Sequence, residues 1–179
     1  MLPLSYFKEA KKNYMLTVLN AIKLATDYFE KKGIQSARTN AEILLAHILN
    51  CKRLDLYLRF EQPLSENEVE LYRQLIARCG KYEPVQYIIG FTEFYGLTLD
   101  VNPSVLIPRP ETEILVETIL NKLNVEEHIK ILDIGCGSGN ISIALGKNLP
   151  NSGIFALDVS KDALQVAENN SLKNGVSNI

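Results

Sequence analysis

Three glycines on alternate positions, Gly135, Gly137 and Gly139, separate two apolar runs of different period, and no other feature constrains the fold of this chain as strongly. Before them, Ile129, Ile131, Leu132 and Ile134 form a β-branched run; after them, Ile141, Ile143, Ala144 and Leu145 recur at helical spacing. The pattern reads as strand, tight turn, helix. Glycine at these positions permits positive φ and lets a ligand lie against the main chain, while the first N–H groups of the helix stay open to an acceptor. The loop is therefore a seat for a nucleotide-like ligand.

The neighbouring residues narrow the choice. A dinucleotide fingerprint requires a small residue at the position held by Asn140, and a P-loop requires Lys-Ser/Thr where Asn140-Ile141 follow Gly139. Asp133, at the carboxyl end of the strand, also disfavours a phosphate, because like charges repel in a partly desolvated site. A second short strand, Gly153-Ile154-Phe155-Ala156-Leu157, ends at Asp158. In a strand–helix–strand unit, that carboxylate reaches the edge where it can accept hydrogen bonds from both hydroxyls of a ribose. Alternatively, Asp158 caps the helix that begins around Ser160. Together, Asp133, the glycine loop and Asp158 resemble the S-adenosylmethionine (SAM) site of Rossmann-like methyltransferases. The resemblance implies SAM as cofactor, held by Asp133, Gly135, Cys136, Gly137, Ser138, Gly139 and Asp158.

The rest of the composition removes other classes. With 179 residues and 46 % hydrophobic content, there is enough chain for one large domain or two small ones, and a net charge of −2 gives no footprint for non-specific nucleic-acid binding. No apolar run reaches membrane-spanning length and Met1 to Lys8 lack a signal pattern, so a cytoplasmic location is expected. Cys51, Cys79 and Cys136 are scattered, and His47 and His128 stand alone; neither a disulfide framework nor a metal site is expected. Cys136 is read as a small residue packed under the turn, and His47 as packed on the apolar side of a helix.

Upstream, the pattern is helical from Tyr14 to Tyr82. Val18, Leu19, Ile22, Ala25, Tyr28 and Phe29 share one face before Lys31-Lys32-Gly33. Ile43, Leu44, Ala46, His47 and Leu49 give a second stripe, and a short helix is expected around Leu54 to Phe60. After Pro63, Ser65 to Glu68 form a capping box, and Val69, Tyr72, Leu75, Ile76 and Cys79 continue a helix towards Gly80. Phe91 to Tyr95 and Leu97 to Val101 then alternate about Gly96 as a hairpin. Pro110, followed by Glu111 and Glu113, opens a further helix through Ile114, Leu115, Ile119 and Leu123.

Glu83-Pro84-Val85-Gln86-Tyr87-Ile88-Ile89-Gly90, Val105 to Glu113 (Val-Leu-Ile-Pro-Arg-Pro-Glu-Thr-Glu) and the Asp133 to Gly139 loop, taken in order, closely resemble the protein-(glutamine-N5) methyltransferases of peptide-chain release factors, the PrmC/HemK family. The resemblance implies an α/β architecture. A helical substrate-docking domain would occupy 1–82, a linker with the hairpin 83–109, and the first part of a Rossmann-like SAM domain 110–179. It implies a release factor as protein partner, methylated on the side-chain amide of the glutamine in a Gly-Gly-Gln loop, with no direct nucleic-acid or membrane partner. Pro108, Arg109, Pro110, Glu111 and Thr112 are expected to close over the site; physics alone would make them a rigid linker and a well-capped helix.

The family orients the acceptor amide with Asn-Pro-Pro-Tyr after a fourth strand, and that motif is absent from the 179 residues. Asn102-Pro103-Ser104 lacks the second proline and the aromatic residue, and it precedes the SAM loop. The expectation is therefore the first part of a longer enzyme, with no catalytic residue in this portion and no activity from it alone. Three other readings stay open: a ribosomal-protein glutamine methyltransferase, a non-catalytic release-factor-binding fragment, and a nicotinamide oxidoreductase.

Overall fold

The computed structural model describes residues 16–123, 126 and 128–179. Tyr14 and Met15, where the helical pattern begins, and Met1 to Lys8 lie outside them. The chain divides into two compact units between Ile89 and Gly90.

The first unit is helical. Helix α1 (Val18–Lys31) buries Val18, Ala21, Ile22, Ala25 and Phe29, the stripe expected of a 3.6-residue period. Thr17 caps it through a hydrogen bond from the Asn20 N–H, and Gly33, at φ +70°, ends it where a left-handed residue is needed. Helix α2 (Ala37–Ile48) packs against α1, a 3₁₀ segment (Arg53–Arg59) follows, and α3 (Glu66–Cys79) lies against α2. Ser65 and Glu68 form the reciprocal capping box of α3. Tyr72 is fully buried and donates its hydroxyl proton to the Ala41 carbonyl at 2.9 Å, tying α3 to α2. A short α4 (Val85–Ile89) completes this unit.

The short helix expected around Leu54 to Phe60 is present as a 3₁₀ helix, Arg53–Arg59. One sequence expectation changes here. His47 is exposed, not packed. The reason is the rotation of α2: the 3₁₀ segment covers the side bearing Glu42, so the buried face runs through Ala37, Ala41, Glu42, Leu45 and Ala46, and position 47 falls opposite.

The second unit opens with strands β1 (Phe91–Phe94) and β2 (Leu97–Asp100), antiparallel with Phe94 opposite Leu97. Their two-residue turn has φ +48° at Tyr95 and +73° at Gly96, the primed geometry that matches strand twist. The hairpin packs on the last helix, α7 (Lys161–Asn174), and belongs to this unit. Helix α5 (Pro110–Leu120) starts with proline at its first turn, and Glu113 accepts the Tyr95 N–H at 2.8 Å, so helix and hairpin turn are joined. Strand β3 (Lys130–Ile134) runs parallel to β4 (Gly153–Leu157), in register from Lys130 opposite Gly153 to Ile134 opposite Leu157. Helix α6 (Asn140–Asn148) connects them, and α7 (Lys161–Asn174) follows. Phe94, Leu97, Leu99, Val116, Ile143, Leu145, Leu149 and Ile154 form one buried cluster. The expected α/β class, with helices first and a parallel strand–helix–strand unit after them, is what the chain adopts.

Candidate functional site

The three glycines lie between β3 and α6, all in left-handed conformation: φ is +79° at Gly135, +54° at Gly137 and +78° at Gly139. Their surroundings differ. A Cβ on Gly135 or Gly137 would meet nothing within 4 Å, so the space beside both is open. A Cβ on Gly139 would lie 3.0 Å from Ile143 Cδ1 and 3.1 Å from Ala167 Cβ. The first two glycines thus leave a cradle, whereas the third lets α7 approach the start of α6. The close-packing role that a dinucleotide fingerprint gives to the position of Asn140 is carried one residue earlier.

Hydrogen bonds fix the loop from several sides. The N–H groups of Gly135 and Cys136 donate to the Leu157 carbonyl at 2.7 and 3.0 Å, and Gly139 N–H closes a turn onto the Cys136 carbonyl. Gly139 has no side chain with which to cap α6, so the first-turn N–H groups of α6 point into the loop region without an internal acceptor. Asp133 accepts the Ser142 hydroxyl, and this bond aligns the end of β3 with the first turn of α6.

Asp158 connects the two strand ends. One carboxylate oxygen accepts the Gly137 N–H at 3.0 Å and the other the Ser160 N–H at 2.9 Å. The Ser160 N–H and then the Gly137 N–H hold its carboxyl below the usual aspartate range. The cap of α7 is Ser160, whose hydroxyl accepts the Ala163 N–H. Asp158 therefore anchors the loop as well as the approach to α7.

Cys136 and Ser138 are buried beneath the turn. Burial, then the charges of Asp133 and Asp158, push the Cys136 thiol up, the opposite of what a nucleophile needs. Pro108 to Thr112 stand at the start of α5, which packs on α6; Arg109 precedes the helix in extended conformation and accepts the Thr112 N–H. Among the described residues, no hydrogen bond joins Pro108 to Thr112 to the glycine loop. No group of metal-binding side chains occurs among the described residues.

Two residues that the sequence did not single out hold the loop from behind. One is Ser142. The other is Asn170, fully buried, whose amide reaches both the Ser138 carbonyl and the end of β2. A signal existed: Asn170 lies on the same helical stripe as Ala163, Val166 and Ala167, where a polar residue must find buried partners.

Residues 125–179 match the model of a methyltransferase domain, so fold and loop together define a chain of the methyltransferase class. Residues 20–90 match the PrmC N-terminal domain. A release factor glutamine methyltransferase of Rhodopirellula baltica is 41 % identical over 156 residues, covering 85 % of this chain and 53 % of the relative. Its counterpart in Chlorobaculum tepidum is 42 % identical over 166 residues, 90 % of this chain and 56 % of the relative. A bifunctional methyltransferase of Rickettsia felis is 35 % identical over 184 residues, 88 % of this chain and 35 % of the relative. The two models match in order, the PrmC N-terminal domain before the methyltransferase domain, and the chain spans about half the length of the release factor relatives it matches.

Proposed function

We propose that this chain serves SAM-dependent methylation of the side-chain amide nitrogen of the glutamine in the Gly-Gly-Gln loop of peptide-chain release factors. The observation that carries the reading is the open cradle beside Gly135 and Gly137, with Asp158 bonded to its rim. The cradle suits a cofactor that presses a main-chain-sized surface against the loop. The two acids at the strand ends suit one that is cationic and bears ribose hydroxyls. Such a cofactor supplies an electrophilic sulfonium methyl.

In this reading, Gly135, Gly137 and the backbone of Cys136 and Ser138 form the floor, Gly139 brings the helices together, Asp133 favours the positive charge, and Asp158 takes the ribose. Pro108 to Thr112 close the site from the amino-terminal side, and the helical portion at 1–82 docks the release factor in the cytoplasm. Methylating an amide nitrogen is mainly a problem of orientation, because its lone pair is delocalised into the carbonyl. Asn-Pro-Pro-Tyr, the family's means of orienting it, is absent from these 179 residues. The chain by itself is therefore proposed to bind without transferring. The test is transfer of labelled methyl from SAM to a purified release factor, by this chain beside a version extended through Asn-Pro-Pro-Tyr. Turnover by the extended protein alone supports the reading; turnover by neither, or NADH binding in place of SAM, contradicts it.

A further inference from the structure

The glycine loop and the hairpin are far apart in sequence, yet one side chain holds both. The Oδ1 of Asn170 accepts the Asp100 N–H at 2.6 Å, and its Nδ2 donates to the Asp100 carbonyl at 3.0 Å and to the Ser138 carbonyl at 2.9 Å. Towards Asp100 the amide behaves as a neighbouring peptide would, offering one donor and one acceptor to the end of β2. Its second amide hydrogen reaches the loop. Asn170 is completely buried, so none of these bonds has water as a ready substitute. Ser138 is buried as well and its hydroxyl has no partner, which leaves the Ser138 carbonyl as the atom through which α7 grips this residue.

Other ties between α7 and the hairpin pass the loop by. Lys173 pairs with the Asp100 carboxylate, and Asn174 donates to the Thr98 carbonyl at 3.0 Å. Only the amide of Asn170 joins the hairpin to the loop among these three.

We infer that Asn170 is a positioning residue: it sets the glycine loop against the end of β2, so that the cradle is pre-shaped for its ligand and its occupancy is transmitted to the hairpin. The inference rests on the loop being the SAM site. Removing the amide frees the Ser138 carbonyl and lets the loop move without loss of the α7 helix itself.

The experiment compares SAM affinity by calorimetry, and backbone hydrogen exchange, in the wild-type chain, Asn170→Ala, Asn170→Ser and Lys173→Ala. Lys173→Ala cuts an α7–hairpin tie that does not touch the loop. The expected result is SAM binding weakened roughly tenfold or more by Asn170→Ala, with Lys173→Ala within about twofold of wild type. SAM should also slow exchange at the Asp100 amide in wild type and in Lys173→Ala, but not in Asn170→Ala. Wild-type affinity in Asn170→Ala, or equal losses in both variants, overturns the inference. If Asn170→Ala does not fold, Asn170→Ser is read by the same two criteria. If the wild-type chain itself binds no SAM, the functional reading fails. The positioning claim is then decided by exchange at Gly137 and Gly139 alone, faster in the Asn170 variant and unchanged in Lys173→Ala if it holds, the same in both if it does not.

Discussion

Asp158 shows how a single carboxylate can couple loop order to pH. Its folded-state pKa is lowered by the Ser160 and Gly137 N–H groups, so its contribution is fully present above the unfolded value and is lost as pH falls through the lowered folded value. The Gly137 amide resonance should therefore titrate below the ordinary aspartate value of about 3.9, and the transition should vanish in Asp158→Asn. A midpoint at or above that value would contradict the hydrogen-bond assignment. Glu42 presents a buried case. Burial alone would raise its carboxyl, but hydrogen bonds from Arg38, Arg53 and Tyr57 outweigh it and hold the group low. Glu42→Gln should cost about 1–2 kcal/mol in urea unfolding, since the two guanidinium groups remain partly hydrated, and the cost should shrink in acid. Sequence made the glycines legible because left-handed backbone demands that residue type. It did not expose Glu42 or Asn170, whose roles depend on partners that only the tertiary fold supplies.

At the scale of elements, Gly137 and Gly139 look alike in sequence but meet different surroundings. Gly137→Ala carries backbone strain of about 1–2 kcal/mol, whereas Gly139→Ala adds overpacking against Ile143 and Ala167 and should lose about 2–4 kcal/mol. Equal losses in urea unfolding would show that α6 and α7 do not meet at Gly139. Most element boundaries were readable because local chemistry sets them: the Ser65 capping box, Pro110 at a first helical turn, and Tyr95-Gly96 in a two-residue turn. The outward turn of His47 was not, because the 3₁₀ segment decides which side of α2 is covered. Likewise, the hairpin's membership of the second unit depends on α7, which comes 60 or more residues later and is tied to it by Asn170 and Asn174.

Across the whole molecule, the β3–β4 sheet has two unlike faces. Ile154 is buried on one, while Leu132, Ile134, Phe155 and Leu157 are 57, 78, 56 and 52 % exposed on the other. Such an apolar face favours self-association when it is left uncovered. Sedimentation of the 179-residue chain should give a weight that rises with concentration, and Ile134→Ser with Phe155→Ser should abolish the rise; a chain that remains monomeric throughout contradicts this. The most direct test of the central claim is calorimetric titration of the chain with SAM, beside Asp158→Ala. The account predicts saturable binding by the wild-type chain and an affinity lower by roughly tenfold or more in the variant. Equal affinity in both would remove Asp158 from the site, and no binding by a folded wild-type chain would contradict the assignment of the glycine loop to SAM.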